Sequence, residues 1–242
     1  LSFTHRIFDV NAICYICVYC SNPNRTRMSI RHRISIDLDF NGPQANLYGV
    51  PQAQAAAFEA GSLVGDTRRG GSCNFEQIQL IPHCNGTHTE CIGHITDARV
   101  YISDVLTESR FPGQLITLAP VMLDDAKGET YNAPTTLEDL VITRRQLESA
   151  INTDLPTTAL IIRTLPNPPL KQRTTYTGEL PMPPFFTHEA MELLAELEVQ
   201  HLIVDLPSVD RLDDAGRLEN HRIFWQAPRV GRLGGSAQNW QS

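Results

Sequence analysis

Between positions 83 and 94 the chain reads His83-Cys84-Asn85-Gly86-Thr87-His88-Thr89-Glu90-Cys91-Ile92-Gly93-His94, and three of its eight histidines fall there. Imidazole nitrogens together with a carboxylate make a Zn-type ligand set. On an extended strand, residues two apart share a face, so His88 and Glu90 can point into one cavity. Gly86 lets the backbone bend tightly, which could swing His83 or Cys84 onto the same ion. His94 lies four residues beyond Glu90, near enough to act as acid or base without being a ligand. The plainer alternative is three solvated histidines on a polar loop.

A second stretch supports the first. Val204-Asp205-Leu206-Pro207-Ser208-Val209-Asp210-Arg211-Leu212-Asp213-Asp214 ends an apolar run in carboxylates and a Pro turn, and His221 follows. The ends of strands in α/β sheets are where sites assemble. Taken alone, His221 reads as a surface histidine and Asp205 as a loop cap.

These residues need elements to hold them. Residues 34–40 and 75–81 alternate apolar and polar, the period-2 pattern of half-buried strands. The Ala-rich stretch 52–63 predicts a short helix or partly ordered loop. Residues 115–123 and 158–163 read as buried strands. Thr143 is placed to cap a helix over 143–151, and Thr187 to cap an amphipathic one beginning at His188. The apolar run 201–206 follows as a strand. Strand–helix–strand order in this half implies α/β packing. Residues 166–184 hold six Pro with little periodicity and predict a long irregular loop.

At 242 residues and 41% hydrophobic, the chain can bury a real core. Its formal net charge of −7 and sequence pI near 5.6 disfavour nucleic acid and anionic membrane as partners. No apolar run approaches the roughly 18 residues that span a bilayer. The most apolar stretch, 10–20, lacks the basic flank of a secretion signal. Six Cys are too few for a disulfide scaffold, so a reducing cytoplasm is expected. Residues 1–27, with Cys14, Cys17 and Cys20, read as an extension ahead of a start at Met28, and 226–242 as an irregular tail.

Together the motifs resemble the cyclase-type metal-dependent hydrolase family, which includes kynurenine formamidase and isatin hydrolase. That family carries H-x-G-T-H-x-D followed by A-P-x-H, and Gly86-Thr87-His88-x-Glu90 with His94 falls in this register. Gly65-Asp66-Thr67 looks like its G-D-T. Ile161-Ile162-Arg163-Thr164 resembles its strand ending in R-T, and Asp205-Leu206-Pro207-Ser208-Val209-Asp210 its D-T-P-S-x-D. The likeness runs over residues 34–225.

The resemblance implies a mixed α/β domain over 28–225, with a barrel-like sheet flanked by helices and the site among strand ends. It implies a metal-activated water attacking a small amide, cyclic amide or lactone, with one or two Zn²⁺ or Mn²⁺ ions. His88 and Glu90 match two metal ligands, His221 a later one, and His94 the proton-transfer histidine. Thr87 and Asp205 would orient the ligating imidazoles by hydrogen bonds. A homo-oligomer, dimer or higher, is expected by resemblance alone.

Three positions depart from the pattern. Glu90 replaces Asp, moving the carboxylate out by one methylene. Strict register puts Cys84 where a His ligand belongs; a bulge would let His83 bind instead, and His83 is the preferred of the two. From Arg222 onward there is no Asp or Glu to supply the family's late Glu. The domain is therefore read as C-terminally incomplete, with weak or absent activity expected. The competing reading is a non-catalytic relative that keeps the fold and binds a small molecule through a degraded metal site.

Overall fold

The computed structural model describes residues 15–19, 29–108, 110–177 and 182–228. The chain divides into two compact units, one of residues 1–89 with 168–177 and one of residues 90–167 with 178–242. Helices and strands are mixed throughout. Among the described residues each sheet has two or three strands, and none closes into a barrel. No helix among them is long and apolar enough to cross a membrane.

In the first unit, β1 (Tyr15–Tyr19) pairs antiparallel with β2 (Ser29–Arg33). Cys14, Cys20 and Met28 lie outside the described residues. Next come β3 (Asn46–Leu47), β4 (Gln54–Ala57), β5 (Glu59–Ala60), β6 (Leu63–Val64), β7 (Glu76–Gln79) and the single-turn helix α1 (Pro82–Asn85). The Ala-rich stretch is thus strand, not helix: β4 pairs with β7, Ala55 opposite Ile78. Alanine's helix preference over other residues is a few tenths of a kcal/mol at each position, which ladder hydrogen bonds to a neighbouring strand readily override. Residues 34–40 are irregular despite their alternation, and the Ile36 N–H is bound by the Thr87 hydroxyl, 3.0 Å away, rather than by a ladder carbonyl. The Pro-rich segment returns to this unit, where Pro169–Arg173 forms a 3₁₀ turn and Thr175–Tyr176 runs parallel to β3.

The second unit carries α2 (Ile102–Val105), β8 (Gly113–Leu118), β9 (Val121–Met122), β10 (Leu140–Ile142), α3 (Arg144–Ala150) and β11 (Ala159–Thr164). With Thr175–Tyr176 counted as β12, it continues through β13 (Phe185–Phe186), α4 (His188–Glu196), β14 (His201–Val204) and α5 (Glu219–Phe224). The run 115–123 breaks into β8 and β9 at Ala119-Pro120, since Pro has no N–H to give a ladder. Strands β8 and β14 flank β11, both parallel to it, and β13 and β9 flank β10.

Both helix caps form where the spacing predicts them. Thr143 Oγ1 accepts from Gln146 N, and Thr187 Oγ1 from Ala190 N at 3.2 Å. From that start α4 buries Ala190, Met191, Leu193 and Leu194, the stripe of an amphipathic helix. It packs on Ile116, Leu118, Leu160 and Ile162, the inner face of the parallel sheet. Ile223 of α5 joins the same cluster. Each large side chain closed off in this way contributes roughly 1.5–3 kcal/mol. This core fixes the two things the site requires of it: the C-terminal ends of β11 and β14, and the helix that carries His221.

Candidate functional site

Helix α5 begins without a side-chain cap of its own, because Leu218 stands at the cap position in the left-handed region (φ 49). Its first N–H groups are met instead by carboxylates from the preceding loop. Asp214 Oδ2 accepts from Leu218 N at 2.6 Å. Asp210 Oδ1 accepts from Asn220 N at 2.9 Å, and Asp210 Oδ2 from His221 N at 3.2 Å. Asp210 is buried, and negative charge at a helix N-terminus is favourable besides.

The same Asp210 reaches the His221 ring, with Nδ1 and Oδ2 2.6 Å apart. A carboxylate offers only acceptors, so Nδ1 carries the proton. The opposite nitrogen, Nε2, lies 3.2 Å from Glu90 Oε2. Burial drives the His221 pKa down, but the hydrogen bonds and charges of Asp210 and Glu90 outweigh it and raise the value to about 9. His94 Nε2 stands 3.8 Å from the other Glu90 oxygen, beyond hydrogen-bond reach. The His94 and His221 rings are 5.6 Å apart, and Trp225 closes the far side of His221 at 5.4 Å.

Local backbone explains how Glu90 and His94 come together. A 3₁₀ turn over Ile92–His94, closed by His94 N–H on the Cys91 carbonyl at 2.8 Å, folds His94 back toward Glu90. A Cβ on Gly93 would collide with the Val100 carbonyl oxygen, so the turn is held against the loop that follows. One ligand atom from each of Glu90, His94 and His221 lies within 4.8 Å of the others. Two imidazoles and a carboxylate at that spacing fit a divalent ion of the Zn²⁺ or Mn²⁺ kind. His94, read from sequence as a proton carrier, is thus also within reach as a third ligand.

In the first unit, His83 and His88 are neighbours, their ring centroids 4.7 Å apart. His88 Nδ1 is 2.9 Å from the Gly86 carbonyl oxygen, which makes Nδ1 a donor. Gly86 is fully extended (φ 179, ψ −168), so it does not bend the chain. The reversal comes from α1, where the buried Asn85 Oδ1 accepts from Ile81 N at 2.8 Å. Burial pushes the Cys84 thiol up, which disfavours the thiolate a metal would need. Thr87 gives its oxygen to Ile36 N, as described above.

Asp205 stands at the end of β14. It accepts from Thr164 N and Thr164 Oγ1, at 3.0 Å and 2.8 Å, and so ties the end of β11 to the end of β14. The carboxylate on an imidazole is Asp210, five residues on. Its place at the end of the Asp205–Asp210 motif was the one available signal, and that signal gave no role. Tyr131, whose hydroxyl donates to Asp210 Oδ1 at 2.9 Å, had no signal at all.

A search of curated proteins finds no match to the chain. A family model described as "Putative cyclase" matches residues 10–211. With the match covering most of its length, the chain belongs to this cyclase family, the one that includes kynurenine formamidase-like proteins.

Proposed function

We propose that the protein is a metal-dependent hydrolase of a small amide, cyclic amide or lactone, resembling kynurenine formamidase in its chemistry. The observation that carries this reading is the convergence of Glu90, His94 and His221, with Nδ1 of His221 already engaged by Asp210 so that Nε2 faces the carboxylate. The family motif extends the ligand set to His88, two residues before Glu90 in the chain, and to His83. A Zn²⁺ or Mn²⁺ ion, singly or as a pair, would bring the pKa of water toward about 7 and polarise the carbonyl under attack. Glu90 supplies the charged oxygen and His221 a fixed imidazole nitrogen. His94, with 30% of its side chain exposed against 8% for His221, faces solvent and is the group suited to move the proton. The substrate is a small molecule, and we further propose a cytoplasmic homo-oligomer.

Elemental analysis and hydrolysis of an aryl formamide by the purified chain test the proposal together. Bound metal with turnover supports it, and a metal-free protein without turnover favours the small-molecule-binding alternative. His94→Ala then separates two roles. Retained metal with turnover reduced by roughly 10²–10⁴-fold is expected for a proton carrier. Lost metal would make His94 a ligand, and normal turnover would remove it from the site.

A further inference from the structure

We infer that Asp210 is a positioning residue for the site, holding His221 in the tautomer and orientation that present Nε2 to a divalent cation. The inference rests on the metal-site reading above. Four hydrogen bonds converge on this buried carboxylate. Oδ1 accepts from the Tyr131 hydroxyl and from Asn220 N, both at 2.9 Å, while Oδ2 accepts from His221 N at 3.2 Å and from His221 Nδ1 at 2.6 Å. Every donor points inward, so the carboxylate has one arrangement that satisfies all of them.

The consequence for the imidazole follows from donor and acceptor counting. A neutral imidazole has one N–H and one lone pair. Asp210 holds the N–H on Nδ1, so Nε2 is the nitrogen left for a cation; without one, Nε2 faces the Glu90 acceptor at 3.2 Å and donates to it, and a cation takes the place of that proton. The main-chain bond from His221 N to the same oxygen fixes the start of α5 relative to that carboxylate, and with it the swing of the ring. Tyr131 steadies the carboxylate from the other side, and its oxygen accepts in turn from Arg211 N at 3.0 Å. Carboxylates that hold the far nitrogen of a ligating histidine commonly raise metal affinity by 10–100-fold.

Asp210→Asn tests this with little change in shape. One oxygen becomes an NH₂ donor. Turned toward His221, it confronts His221 N, a donor that cannot reorient, and faces Nδ1, where it favours the opposite tautomer with the proton on Nε2. Turned toward Tyr131, it confronts Asn220 N, a donor that cannot reorient.

Two measurements separate the positioning role from a purely structural one. The first is proton NMR of the metal-free chain with ¹⁵N-labelled histidine. The wild type is expected to show a far-downfield imidazole N–H resonance, assigned by its loss in His221→Gln, present in Tyr131→Phe and absent in Asp210→Asn. The second is Zn²⁺ affinity by chelator competition, expected to fall about 10–100-fold in Asp210→Asn while the far-ultraviolet circular dichroism is kept. Wild-type Zn²⁺ affinity in Asp210→Asn overturns the inference. Absence of the His221 resonance in the wild type overturns it too, whether or not the Asn variant folds. If the wild type binds no Zn²⁺, the metal reading fails on its own and the resonance still decides the role of Asp210.

Discussion

Removing Asp139 should be among the most damaging single changes available in the second unit. Its side chain is fully buried and receives the Arg211 guanidinium, Nε to Oδ2 at 2.9 Å and Nη2 to Oδ1 at 3.5 Å, with Thr136 N adding 2.9 Å to Oδ2. The Arg211 side chain is 9% exposed, so solvent cannot replace the lost partner. In Asp139→Ala the guanidinium keeps one described acceptor, the Asp213 carbonyl at 3.0 Å. Breaking one side of a buried pair costs about 3–5 kcal/mol, a large share of the roughly 5–15 kcal/mol that holds a domain folded. Urea unfolding followed by circular dichroism gives the number, provided the slope of the transition is unchanged. The double variant Asp139→Leu with Arg211→Met should regain most of the loss, because it leaves no stranded charge. Arg211 directly follows Asp210, so the single variant should also weaken Zn²⁺ binding. A loss below about 1 kcal/mol, the range of a solvent-exposed pair, would refute the reasoning by showing that water reaches Arg211.

Thr187→Val removes the cap of α4 together with the 2.6 Å hydrogen bond that the hydroxyl donates to Glu129. Glu129 keeps its bonds to Arg144 N and Arg145 N, so a destabilisation of about 1–3 kcal/mol is expected by the same unfolding assay, with Thr187→Ser close to wild type. Gly113→Ala should part β8 from β11, because the new Cβ would collide with the Ala159 carbonyl oxygen. A loss of about 1–3 kcal/mol and faster amide exchange along β8 are the expected outcomes.

Legibility in the sequence followed locality. Thr143 and Thr187 cap helices whose start and apolar stripe are set within a few residues of chain, and both appear where spacing placed them. Residues 54–57 failed because their state is decided by β7, some twenty residues on, whose pairing outweighs alanine's preference. The alternation at 34–40 failed for the converse reason: a period of two describes a strand only when another strand lies alongside. Of the residues that the structure brings together, Glu90 and His94 were readable because they lie in one short motif, and His221 because the family's order names a later histidine. Which carboxylate would meet the His221 ring depends on the approach of the 205–214 loop to α5. No local pattern encodes that approach, so the role of Asp210 was not legible in the sequence.

The double duty of Asp210 sets a limit on how such a site can change. A six-residue helix has almost no stability of its own and depends on what meets its first N–H groups. The group that meets them is also the group that aims the imidazole, so residue 210 cannot be varied to retune the ion without loosening the helix that delivers a ligand to it. Adaptation to a different metal or substrate then has more room on the other chain segment, which carries Glu90 and His94. The exchange of the family's Asp for Glu90 falls on that segment. The two halves of the site are in this sense unequal: one is anchored and conservative by construction, and the other is where variation can be tolerated.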